Sequence, residues 1–150
     1  MRLLADAMLG KLVKWLRLSG ARVAYTREED DEKIIKRALR EKAVLLTRDQ
    51  ALALKARGYA RVVLIKSNSP EEQLKRVARE LKIKLKPSET LCAHCGSRLK
   101  RVSRKKVEGK MFPRVFRSHK VFWKCIGCGQ IYWKGSHWKR ITRAIKKAGS

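Results

Sequence analysis

Apolar residues fall in two rhythms over the first ninety positions. Short unbroken apolar runs occupy Arg2 to Ala5, Arg22 to Thr26, Ala43 to Thr47 and Arg61 to Ile65, and each reads as a strand. Between them the spacing changes to that of a helix. Met8, Leu9, Leu12, Val13 and Leu16 share one side of a helix predicted over Met8 to Ser19, which Gly20 stops. Ile34, Ile35, Ala38 and Leu39 repeat the spacing over Asp31 to Glu41, and Gln50 to Arg57 forms a shorter helix. A fourth opens with Ser69 as N-cap, Pro70 at its first position and Glu72 at its third, and runs through Leu74, Val77, Ala78 and Leu81. Strand and helix alternating four times predict an α/β fold, a parallel sheet with helices on both faces. LL and VLLT run apolar without alternation because strands of such a sheet are buried on both sides.

The helical rhythm ends in LKIKLKPSET, where Pro87 and Ser88 precede a different kind of sequence. The boundary divides the chain into an α/β domain at 1–88 and a small module at 89–150, and 150 residues suffice for one sizeable core plus a stapled module. The staple is Cys92-Ala-His-Cys95 and Cys125-Ile-Gly-Cys128, each pair followed by a glycine, with 29 residues between them. Two CxxC steps with these glycine turns predict a zinc ribbon whose four sulfurs close a structural Zn²⁺ site, with hairpin strands such as Arg98 to Val102 and Val121 to Trp123 between them. A segment this short and polar depends on its metal to fold. His94 lies inside the first pair, but four cysteines already complete a tetrahedron.

Charge then narrows the partner. Thirty-nine Lys and Arg against thirteen acids give a net charge of +26, which calls for a polyanion, and RNA is the expected one. Residues 91–150 hold 17 of the bases and one acid, Glu108, so any acid chemistry belongs to the first domain. The candidate RNA-binding groups are Arg104, Lys105 and Lys106, then His137, Trp138, Lys139, Arg140, Arg143, Lys146 and Lys147 around a basic C-terminal helix whose apolar side is Ile141, Ala144 and Ile145. Most of Phe122, Trp123, Tyr132, Trp133 and Trp138 serve as the ribbon's own packing, which leaves one or two to stack on unpaired bases. No apolar run approaches the roughly 18 residues of a membrane span, and no signal segment opens the chain, so a cytoplasmic protein without a membrane partner is expected. Four Gln and Asn in all, amid abundant Lys, Arg and Glu, match the usage of proteins from hot environments.

RLLAD and VLLTRD both end an apolar strand on a carboxylate, Asp6 and Asp49. In an open parallel sheet that edge is where ligands bind. Asp31, or its neighbour Asp30, opens the helix after the second strand and faces the same edge. Gathered carboxylates suit a hard cation, Mg²⁺ or Mn²⁺, and the class of reaction implied is phosphodiester hydrolysis. Lys11, Lys14 and Arg48 would hold phosphate. The competing reading is that each Asp merely caps the next helix.

LLADAMLGKLVKWLRLSGARVAY, DDEKIIKRA, VLLTRD and SPEEQL resemble the Mut-seven C-terminal RNase domain family, a branch of the PIN-like nucleases. CAHCG, EGK, FWKCIGCG and YWKGSHWKRI extend the resemblance through that family's zinc-ribbon tail. The resemblance implies a PIN-like fold and a metal-dependent ribonuclease with Asp6, Asp31 and Asp49 as its acids, cutting to expel the 3′ oxygen. Many PIN-like sites carry a fourth acidic or amide position, where this sequence offers Ser67 and Asn68, neither a carboxylate, with Asn68 able to hold a metal-bound water. The expected function is therefore RNA hydrolysis by the first domain with binding by the ribbon and tail. A non-catalytic RNA-binding protein, associated with rRNA or the ribosome, is the alternative.

Overall fold

The computed structural model describes residues 1–149. Four strands, β1 (Arg2–Ala5), β2 (Arg22–Tyr25), β3 (Ala43–Thr47) and β4 (Val62–Leu64), form one sheet in the order β2-β1-β3-β4, every pair parallel. Between them run α1 (Gly10–Leu18), α2 (Asp31–Glu41) and α3 (Gln50–Ala56), and α4 (Pro70–Leu81) follows β4. The pleat divides the core as the unbroken apolar runs require. Leu3, Ala5, Val44 and Leu46 point to one face, where they meet Leu12, Val13, Trp15 and Leu16 of α1 and Leu74, Val77 and Leu81 of α4. Leu4, Ala43 and Leu45 point to the other, against Ile34, Ile35 and Ala38 of α2 and Leu52 and Ala56 of α3. The chain moves from β2 back across β1 to β3, so the strand order reverses at β1. That switch point opens a crevice at the carboxyl ends of β1 and β3.

A one-turn 3₁₀ segment, Ala7–Leu9, replaces the first turn of the helix expected from Met8, because Asp6 caps it through the Met8 amide at 3.3 Å. The second sheet is antiparallel, β5 (Leu99–Val102), β6 (Phe122–Cys125) and β7 (Ile131–Tyr132), in that order. Two short helices, α5 (Arg104–Val107) and α6 (Pro113–Ser118), fill the connection between β5 and β6. No helix among the described residues is long and apolar enough to cross a membrane.

The last helix, α7 (Ser136–Ala148), follows the ribbon in the chain. It packs on α4, and Ile141, Ala144 and Ile145 are buried in the core that contains Leu3, Leu9 and Val77. Its apolar stripe needs a partner larger than a three-stranded ribbon, and the α1–α4 face supplies one. The ribbon thus sits between two pieces of the α/β core. Arg17 ties it down. This α1 side chain is 8 % exposed and donates from Nε and Nη2 to the Val23 carbonyl (3.1 and 2.9 Å) and from Nη1 to the carbonyls of Ala93 and His94, both 3.1 Å. Gly96 must be glycine on two counts: its φ is +81°, and a Cβ there would stand 3.1 Å from Arg17 Nε.

Candidate functional site

Asp6 follows β1 and Asp49 follows β3, so adjacent strands deliver both to the switch-point crevice. One hydroxyl links them. Thr47, wholly buried at the end of β3, donates through Oγ1 to Asp6 Oδ2 at 2.5 Å and accepts from the Asp49 backbone N–H at 3.0 Å. Asp49 caps α3, its Oδ1 accepting from the amides of Ala51 (2.9 Å) and Leu52 (3.1 Å). Capping and site geometry are therefore the same event at Asp49, since the cap fixes which way the carboxylate stands.

The pair Asp30 and Asp31 divides its labour. Asp30 is the α2 cap, with Oδ1 taking the amides of Glu32 (2.9 Å) and Lys33 (3.4 Å). That leaves Asp31 inside the first turn, where Oδ2 pairs with Lys55 Nζ of α3 at 3.0 Å. The Asp31 bond and charge raise the pKa of Lys55, with Asp49 adding to the same field. Of the surrounding groups, Lys11 and Lys14 are exposed on α1, Arg48 donates to the Lys66 carbonyl at 3.3 Å, and Asn68 is exposed in the loop after β4. Thr47 and Lys55 were not foreseen as parts of this edge. An apolar strand ending in Thr between two Asp residues was the available signal for the first; the second depends on how α2 and α3 lie together.

Among the described residues, one group of three or more Cys, His, Asp or Glu brings its ligand atoms within 4.8 Å of one another: Cys92, Cys95, Cys125 and Cys128. Asp6, Asp31 and Asp49 are not drawn together so closely. The cysteine quartet has the donor set and closure of a structural metal site, four soft sulfurs at the meeting of two glycine turns, and it fits Zn²⁺. Sγ of Cys92 lies 3.6 Å from Cys128, and Sγ of Cys95 lies 3.3 Å from Cys125. Amides and a phenol point at the sulfurs, as thiolates require: Cys95 N to Cys92 at 3.5 Å, Gly127 N to Cys125 at 3.3 Å, and Tyr132 Oη to Cys92 at 3.0 Å. Hydrogen bonds from Ser97 hold the Cys95 thiol down to about 6. At Cys128 the Gln130 amide pulls the other way, but desolvation and the neighbouring thiols push it up to about 12. Burial and the Cys92 bond raise the Tyr132 phenol. His94 is exposed, and the four cysteines close the site without it.

The basic groups are distributed rather than gathered. Lys105 and Lys106 are exposed on α5, while the Arg104 guanidinium lies 3.9 Å over the Phe116 ring and donates to the carbonyls of Phe116 and His119. His119 is half-buried, its ring against Ser118 and the Val115 carbonyl. His137, Lys139, Arg140, Arg143, Lys146 and Lys147 line the outer side of α7, and Trp138 is half-buried beneath them.

No curated protein and no solved structure matches the chain. The description Mut7-C RNAse domain matches residues 1–145, which takes in both carboxylate strands, all four cysteines and the docked stripe of α7. The chain belongs to the Mut7-C RNAse domain family.

Proposed function

We propose that this protein is a metal-dependent ribonuclease that hydrolyses RNA phosphodiester bonds at the edge formed by Asp6, Asp31 and Asp49. Family membership points to a nuclease-like, RNA-directed role. The observation that carries the finer reading is the Thr47 bridge, a buried hydroxyl bonded to the Asp6 carboxylate and to the Asp49 backbone amide at a topological switch point. The donors fit a hard cation, Mg²⁺ or Mn²⁺, since all are carboxylate oxygens. When bound, such an ion supplies neutralisation of phosphate charge and acidifies a coordinated water. The chain's own share is positional. Thr47 holds Asp6, the α3 cap holds Asp49, and Lys55 holds Asp31 between α2 and α3. Lys11, Lys14 and Arg48 attract the phosphate backbone, and the tail groups from Arg104 to Lys106 and from His137 to Lys147 add length-wide attraction.

The test is cleavage of end-labelled RNA by zinc-loaded protein with added Mn²⁺ or Mg²⁺, beside Asp49→Asn. Asn caps a helix as well as Asp does, so the variant keeps its fold while losing the charge. A chelator is the poorer control because it also strips the ribbon. Metal-dependent cutting that disappears in Asp49→Asn is expected.

A second reading is a non-catalytic RNA binder, with rRNA or the ribosome as its partner. The separation of the three carboxylates and the Lys55 pairing of Asp31 favour it. In that case RNA is bound and left whole, and Asp49→Asn binds as well or better because a repelling charge has gone.

A further inference from the structure

An open groove of about 1,060 Å³ separates α1 from the ribbon, larger than most small-ligand pockets. Its charged lining is entirely cationic: Lys11, Lys14, Arg17 and Arg27. Arg17 is spent on carbonyls, but Lys11 and Lys14, three residues apart on α1, are exposed, as is Arg27. Aromatic side chains line the groove as well, Trp133 after β7, Trp138 in the first turn of α7 and Tyr25 at the end of β2. One end of the groove lies beside the carboxylate edge, since Tyr25, which lines it, donates from Oη to the carbonyl of Ala7, the residue after Asp6.

Cations alone would suit any phosphate backbone. Aromatic faces set inside a cleft are reached only by bases that have left a helix, because a duplex keeps its base faces stacked and offers edges. We infer that the groove holds a single-stranded stretch of RNA, phosphates along Lys11, Lys14 and Arg27 and bases against Tyr25, Trp133 and Trp138, and leads it to Asp6. The inference takes RNA as the partner from the function proposed above and adds the strandedness and the path.

Binding is read apart from cutting, by fluorescence anisotropy on the full zinc-loaded chain carrying Asp49→Asn. The probes are a labelled unstructured oligouridylate and a blunt RNA hairpin of the same length. The single strand binds the more tightly. Trp133→Ala weakens it by about five-fold to a hundred-fold, the effect of one lost stacking platform. Lys11→Ala with Lys14→Ala, on the solvent side of α1 where folding is not at stake, lowers the slope of log affinity against log salt by about 1.4 for two phosphate contacts. Zinc content and circular dichroism verify each variant. Unchanged affinity and slope in both variants, or a hairpin bound as tightly as the single strand, overturns the groove. Cutting by the parent protein that the groove variants leave untouched overturns the groove and keeps the nuclease. Tight binding that depends on Trp133, with no cutting by the parent, keeps the groove and overturns the nuclease.

Discussion

Arg17→Ala is the perturbation that reports most directly on how the two modules are joined. The guanidinium makes four hydrogen bonds to three carbonyls, one in β2 and two in the first cysteine turn. Burial lowers its pKa, opposed by the nearby Cys92 and Cys95 sulfurs, and as an arginine it stays charged. That charge faces a centre whose four thiolates outweigh one Zn²⁺, so it is compensated where it lies. Truncation removes two buried methylenes, worth about 1.6 kcal/mol at ~0.8 each. Losing the charge-assisted bonds to the buried Val23 carbonyl adds about 1.5–3 kcal/mol. The Ala93 and His94 carbonyls border the open groove and find water instead, at little cost. The sum, about 3–5 kcal/mol, is a large share of the ~5–15 kcal/mol that holds a domain together. Arg17→Lys keeps the charge without the fork and recovers about half. Guanidinium-chloride unfolding gives the stability, and zinc transfer to a chromogenic chelator gives the hold on the metal. Arg17→Ala with a wild-type midpoint would refute the energetics. A lowered midpoint with unchanged zinc transfer would refute the tie between α1 and the cysteine turn.

Thr47→Val keeps the shape of the buried side chain and removes the bridge; stability falls by about 1–2 kcal/mol, while cleavage falls about 10- to 100-fold because Asp6 and Asp49 lose their common reference. Thr47→Ser should restore most of the cleavage, and equal rates for Val and Thr would exclude a positioning role. Zinc affinity measured by competition falls with falling pH, since each ligand thiol must shed its proton to bind. Uptake of a proton by Cys95 as pH drops through about 6 adds to that fall, and the absence of any added loss near pH 6 would contradict the Ser97 effect. Ile145→Ala, in the buried stripe of α7, costs about 2–5 kcal/mol in unfolding of the α/β sheet, whereas a tail independent of that core would show no such loss.

What could be read from the chain was what depends on neighbours in sequence. The four parallel strands and their helices were legible because burial on both faces and a 3.6-residue period leave local marks, and the Ser69-Pro70 start of α4 stands where it was expected. The cysteine quartet was legible from its spacing. Asp30 and Asp31 were a tie that only backbone geometry breaks, Asp30 taking the extended conformation of a cap. Thr47 looked like the last residue of an apolar strand, because its partner Asp6 is 41 residues away and meets it only through β1–β3 pairing. Arg17 looked like one more surface cation in a chain with thirty-nine of them. Nothing in the local pattern says that its helix face is covered by residues 93 and 94. The apolar side of α7 was recognised, but not what it covers, and α5, α6 and the two-residue β7 are too short to stand out from charge runs and Gly turns.

The place of α7 has a bearing on how the protein is made. A ribosome delivers the chain from its N-terminus, and ordinary domains close as they emerge. Here the sheet is complete at Leu64, yet the core around α4 stays open until Ile141 and Ile145 arrive. Everything between, ribbon and cysteines included, must be synthesised first. The carboxylate edge therefore gains its finished scaffold only after the cysteine module has been made, and a nascent chain interrupted within the ribbon leaves the α4 side of the core still exposed to water.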